Sequence, residues 1–196
     1  MTRRVVVVPL TVPSWYPPGV DPDAWRRALA EDAVDLLVTL AEVTPAVAVL
    51  PADRALADAV VWPGTRVWEV PVLTSGAVFE VAGQEGYEQA ALLAPDAPDL
   101  PGMLVGKLLR PLSSRPVSVA PSGTGGLLGL AVRLPVPEWL PDVDLDAGVE
   151  DIRTAAPQPG QVAAATGWHR LTGPEALRLL DPGLEGWDAT RALLGG

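Results

Sequence analysis

Between Arg4 and Leu10 the chain reads Arg-Val-Val-Val-Val-Pro-Leu, apolar at successive positions rather than at alternate ones. A strand with one wet face alternates apolar and polar residues, whereas a strand covered on both faces reads as a continuous hydrophobic run. The run therefore predicts a central parallel strand sandwiched between helices, ending at Pro9. Thr11 to Asp21, with Pro13, Pro17, Pro18 and Gly19 around Trp15 and Tyr16, is then a loop at the carboxyl end of that strand. In an open α/β sheet this end faces ligands. Trp15 and Tyr16 could stack on a base or sugar there, although aromatics in such loops more often pack onto their own domain.

Downstream, strand and helix patterns alternate. Asp21 or Asp23 can cap a helix in which Trp25, Leu29, Leu36, Leu37 and Leu40 recur at helical spacing. Ala46 to Leu50 reads as a second strand, Asp53 to Ala59 as a short helix, and Arg66 to Val70 as a third strand. Val72 to Gly86 is ambiguous, broken by Ser75-Gly76 and Gly83. Tyr87 to Leu93 leads into a fourth strand, Pro101 to Leu109 forms a helix, and Pro116 to Ala120 and Leu127 to Leu134 are strands joined tightly enough to pair antiparallel. This alternation predicts a single α/β domain over residues 1–196, Rossmann-like, with a mostly parallel central sheet flanked by helices. Residues 157–196, after the Pro157–Gly160 hinge, are expected to form a helical extension covering an exposed face of the sheet.

The stretch from Ala90 to Gly129 carries the best candidate site. The fourth strand ends abruptly on a carboxylate, Asp96, as a buried strand does when it delivers an acidic residue to the rim of the sheet. The fifth ends in Gly123-Thr124-Gly125-Gly126, where backbone can approach a ligand closely. Taken singly, these pieces are also what turns, caps and tight hairpins look like. His169, the only histidine, stands beside Trp168, and a lone histidine in that setting is more often structural than catalytic.

The formal net charge of −10 argues against a nucleic-acid partner, because phosphate-backbone binders need basic stripes. Cysteine is absent, which removes thiolate metal sites and cysteine nucleophiles. No segment approaches the roughly 18 apolar residues of a membrane span, so no membrane partner and a cytoplasmic location are expected. A homodimer or a protein partner is possible.

Three patches together resemble the DUF2064 proteins and the related phospholactate guanylyltransferases. Asp96-Ala97-Pro98-Asp99-Leu100-Pro101 is similar to their Asp-x-Pro-Asp-Leu-Pro element. Pro121-Ser122-Gly123-Thr124-Gly125-Gly126-Leu127-Leu128-Gly129 is similar to their Gly-Pro-x-x-Asp-Gly-Gly-x-x-Leu-Leu-Gly turn, and Asp142-Val143-Asp144 to a later Asp-Val-Asp element. A weaker echo lies at Ala28 to Ala33. The resemblance implies a GT-A fold of the nucleotide-diphospho-sugar transferase superfamily and a nucleotide or nucleotide-sugar ligand. It also implies a magnesium or manganese ion neutralising the phosphate charge that develops during transfer. On it, Asp96 and Asp144 are the candidate catalytic residues, and Asp96, Asp144 and Asp142 the candidate metal ligands. Pro9, Arg26, Gly123, Gly125 and Gly126 are the candidate nucleotide contacts. Asp99 is equally suited to cap the following helix or to touch a ligand.

The departures count as much. The family's N-terminal loop, roughly Lys-x-Pro-x-Pro-Gly-x-x-Lys-Thr-Arg, meets the nucleotide phosphates, yet nothing basic lies between Arg4 and Arg26 here. The aspartate expected before Gly125-Gly126 is Thr124. Two readings follow: a divergent metal-dependent nucleotidyl- or glycosyltransferase with a degraded phosphate loop, or a catalytically degenerate scaffold acting as a protein-binding or assembly module.

Overall fold

The computed structural model describes residues 2–195. Seven strands form one sheet: β1 (Arg4–Pro9), β2 (Thr44–Val49), β3 (Arg66–Glu69), β4 (Gln89–Leu93), β5 (Val117–Pro121), β6 (Leu127–Arg133) and β7 (Val162–Ala164), in the spatial order β3-β2-β1-β4-β6-β5-β7. The β1–β2, β1–β4, β2–β3 and β5–β7 pairs are parallel, and β6 alone runs against its neighbours β4 and β5. The mostly parallel sheet and the antiparallel β5–β6 pair are as the sequence pattern predicts.

The valine run explains the centre. Side chains alternate across a strand, so Val6 and Val8 enter one core with Ala33, Val34 and Leu37 of helix α1 (Pro22–Thr39) and Leu104 and Leu108 of helix α4 (Gly102–Leu109). Val5 and Val7 enter the other, with Val78, Phe79 and Ala82 of helix α3 (Ser75–Gln84) and Ile152 of helix α5 (Val149–Ala155). All four valines are 0 % exposed, each stabilising the fold by about 1.5–3 kcal/mol relative to exposure. The remaining helix on the β2–β3 side, α2 (Arg54–Val60), follows a single turn of 3-10 helix.

Local signals account for most element ends. Asp21 caps α1, its Oδ1 accepting from Ala24 N at 2.9 Å, with Pro22 in the first turn where a missing N–H costs nothing. The segment that the sequence leaves ambiguous contains α3. Two glycines lower its helix propensity, and its N-terminus is satisfied from 66 positions away, where Asp142 Oδ1 accepts from Gly76 N at 2.6 Å. A Cβ on Gly76 would lie 2.9 Å from Asp142 Cγ, so glycine is what lets this cap approach.

Residues 157–196 hold more than helices. They supply strand β7 beside β5, a 3-10 helix at Pro174–Leu179 and helix α6 (Asp188–Leu193). α6 packs on α1 rather than on the sheet, tied by buried Asp32, whose oxygens accept from Ala189 N at 3.0 Å and Thr190 N at 2.8 Å. Between β7 and the 3-10 helix the chain crosses the strand ends, where Gly123 N donates to Trp168 O at 2.9 Å and Leu171 N to Asp96 O at 2.7 Å.

Candidate functional site

A cleft of about 250 Å³ opens at the carboxyl ends of the strands, where an open α/β sheet places its ligands. Pro9, Thr11 and Ser14 bound it from the end of β1 and Thr74 from the start of α3. Asp96 bounds it after β4, Asp144 and Asp146 from the loop after β6, and Arg170 from the C-terminal segment. Three of the expected site residues, Pro9, Asp96 and Asp144, thus meet in one cleft.

Their chemistry is set by Arg170, which the sequence reading passes over. Its guanidinium grips Asp96 bidentately, Nε to Oδ1 at 2.7 Å and Nη2 to Oδ2 at 3.0 Å. Nη1 donates to Leu145 O at 2.7 Å and to Asp146 Oδ1 at 3.2 Å, with a longer contact to Leu127 O at 3.4 Å. Both side chains of the Arg170–Asp96 pair are 7 % exposed. Burial alone would lower the Arg170 pKa, but the hydrogen bonds and charge of Asp96, aided by Asp146, hold it above its ordinary value. Arg170 therefore stays charged at every physiological pH.

The glycine-rich turn serves this pair. Gly126 has φ +74°, and a Cβ there would lie 2.5 Å from Leu145 O and 2.9 Å from Arg170 Nη1. The close backbone approach expected toward a nucleotide is made instead toward the guanidinium. Thr124, standing where the resembled family has aspartate, uses its hydroxyl to hold Arg170's main chain, donating to Arg170 O at 2.9 Å and accepting from Arg170 N at 3.1 Å. Gly123 is engaged by Trp168 O, whereas Gly125, at φ +102°, faces open space.

The other expected contacts have structural partners as well. Arg26 pairs with Asp53 at 2.8 Å and donates to Leu10 O at 2.6 Å and Thr11 O at 3.2 Å, fixing the loop after β1. Asp142 caps α3 and also accepts from Thr74 Oγ1 at 2.9 Å. Asp144 Oδ1 accepts from Asp146 N at 2.9 Å, forming a local turn with its carboxylate exposed. Trp15 packs edge-on against Trp25 with centroids 6.3 Å apart, half-buried against a small core rather than lining the cleft.

Asp99 neither caps α4 nor lines this cleft. Its buried carboxylate accepts from Trp168 Nε1 at 3.1 Å and Asp181 N at 3.0 Å, and His169 Nε2 stands 2.9 Å from Oδ1 without the alignment of a hydrogen bond. Burial would raise the Asp99 pKa, yet His169 and these N–H groups outweigh it and hold the carboxyl below its ordinary value.

The fit to a divalent ion follows from these commitments. Magnesium needs one or two free carboxylates converging with substrate oxygens. Both oxygens of Asp96 are held by Arg170, those of Asp142 face α3, and among the described residues no three acidic or histidine side chains converge as a metal set. As folded, these donors do not fit an ion centred on Asp96. The described residues also contain no helix long and apolar enough to cross a membrane.

No protein-family model matches the chain, and no curated protein matches its sequence. Solved structures do resemble it. A candidate nucleotide-diphospho-sugar transferase of Desulfovibrio desulfuricans G20 superposes with TM-score 0.67 at 18% identity over 100% of this chain and 98% of its own. The 4-diphosphocytidyl-2C-methyl-D-erythritol synthase of Anaerococcus prevotii DSM 20548 gives 0.62 at 10% identity, covering 98% and 96%. A CMP:2-keto-3-deoxy-manno-octonic acid synthetase, in complex with CTP, gives 0.61 at 15% identity, covering 99% of each chain. At these identities the likeness concerns architecture and not activity. The chain has the fold of the nucleotide-diphospho-sugar transferases and related nucleotidyltransferases.

Proposed function

We propose that this protein is a catalytically degenerate member of that fold, a divergent relative of the DUF2064 proteins that serves as a binding or assembly module rather than as a transferase. The observation that carries the reading is the state of Asp96: the strand-end carboxylate that would hold a metal ion is closed on both oxygens by Arg170. Electrostatics support it. Asp96, Asp144 and Asp146 share the cleft with one guanidinium that is already spent on Asp96 and Asp146, and among the described residues no other basic side chain lines it. A nucleotide's phosphates entering without metal would meet net negative potential.

One observation favours a second reading. Pro9, Asp96 and Asp144 do share the strand-end cleft with the hydroxyls of Thr11, Ser14 and Thr74, the setting a divergent nucleotidyl- or glycosyltransferase would use for a nucleotide sugar with magnesium or manganese. Transfer would require Arg170 to leave Asp96, with the energetic cost of unpairing a buried charge.

A thermal-shift screen of nucleoside triphosphates and sugar nucleotides, with and without magnesium or manganese, separates the two. The degenerate reading expects no metal-dependent rise in melting temperature with any of them. A rise that needs metal and disappears in Asp96→Asn would establish the transferase reading instead.

A further inference from the structure

Arg170 is more than nine-tenths buried, yet it forms a wall of an acidic cleft rather than part of an enclosed polar core. Its acceptors are all oxygens: the Asp96 carboxylate, Asp146 Oδ1 and the main-chain carbonyls of Leu127 and Leu145. Two carboxylates with main-chain carbonyls form a hard, anionic donor set of the kind that suits magnesium, calcium or manganese. Here the set surrounds a cation that cannot dissociate and cannot be deprotonated.

Separate devices hold that cation in place. Thr124 clamps the main chain of Arg170 in both directions. Gly126 lacks the Cβ that would collide with Nη1 and with Leu145 O. Leu171 N donates to Asp96 O, locking the two strands of chain together beside the pair. An arginine that only neutralised Asp96 would need none of these.

We propose that Arg170 is the resident cation of the strand-end site: its guanidinium stands among oxygens that would otherwise call for a divalent ion, and makes the site metal-free by construction. The proposal rests on the degenerate reading of the cleft and gives it a cause. It also has a converse. With Arg170 removed, Asp96 and Asp146 lose their counter-charge while the carbonyls of Leu127 and Leu145 stay beside them, so a hard divalent ion becomes the missing partner and its binding becomes folding energy.

The test is metal rescue, with no nucleotide present. Thermal unfolding is measured for the wild type, Arg170→Gln and the double variant Asp96→Asn with Arg170→Gln, each in chelator and over a titration of manganese or calcium. The wild-type melting temperature is expected to ignore both chelator and ion. Arg170→Gln is expected to melt lower and to regain several degrees as the ion is added, with the logarithmic concentration dependence of linked binding. The double variant is expected to regain nothing. Should Arg170→Gln be unfolded as purified, far-ultraviolet circular dichroism over the same titration reads recovery of helix. An Arg170→Gln protein that gains nothing from either ion, whether folded or not, overturns the proposal, as does a wild type that gains as much as the variant. A wild type that needs metal to bind a nucleotide would sink the degenerate reading by a different measurement, so the two failures are distinct.

Discussion

Gly126, against the Arg170 guanidinium, and Asp99, buried beside His169, each set a measurable part of the stability from a single position. Alanine at Gly126 would force a left-handed φ of +74° and press Cβ into Leu145 O and the Arg170 guanidinium. Positive-φ strain together with the clash predicts a loss of about 2–4 kcal/mol, read as a lower midpoint in urea unfolding. Asp99 sets a pH dependence. Its folded pKa lies below its unfolded value, so its stabilisation is present above about pH 4 and is lost as pH falls through the lowered folded value. Asp32 acts oppositely: burial raises its pKa, so its favourable contribution exists at low pH and fades as pH rises through the raised value. Asp99→Asn is expected to cost about 1–3 kcal/mol at neutral pH and to flatten the acid limb of a melting-temperature profile below about pH 4. An unchanged acid limb would contradict this assignment.

At this scale Asp96 was legible, because an apolar run ending on a carboxylate is visible in the order of residues. Arg170 was not. It lies 74 positions beyond Asp96 in a segment without periodicity, and an isolated arginine carries no sign of what it will pair with. In the sequence Thr124 reads as a departure from the family pattern and Gly126 as a ligand contact, and only the folded chain shows that both serve Arg170.

Among the elements, those built from local information followed the sequence. α1 has its cap and apolar face within its own residues, and β1 declares itself by an uninterrupted valine run. α3 and β7 did not, for one physical reason: what stabilises them comes from far along the chain. α3 borrows its N-terminal cap from Asp142, and β7, three residues long, exists through its pairing with β5. Asp142→Ala therefore predicts a loss of about 1–2 kcal/mol, with hydrogen-exchange protection falling first in α3. Uniform loss of protection across the sheet would show that Asp142 does something other than cap.

For the whole molecule, the alternation of strands and helices fixed the class of fold, since parallel strands require crossovers and the crossovers supply the helices on both faces. Its chemistry is governed by a closure the pattern could not reveal. The segment from β7 to α6 travels along the sheet edge, over the strand ends and back to α1, binding Asp96, Asp99 and Asp32 on the way. The same segment that completes the fold thus delivers the guanidinium that grips Asp96, so on the proposed reading folding and the loss of metal chemistry are coupled in one stretch of chain. The most direct test is calorimetric titration of CTP into the wild-type protein with and without manganese. The expected result is no saturable heat in either condition. Saturable, manganese-dependent binding that vanishes in Asp96→Asn would show that Arg170 yields Asp96 to a metal, and would contradict the account.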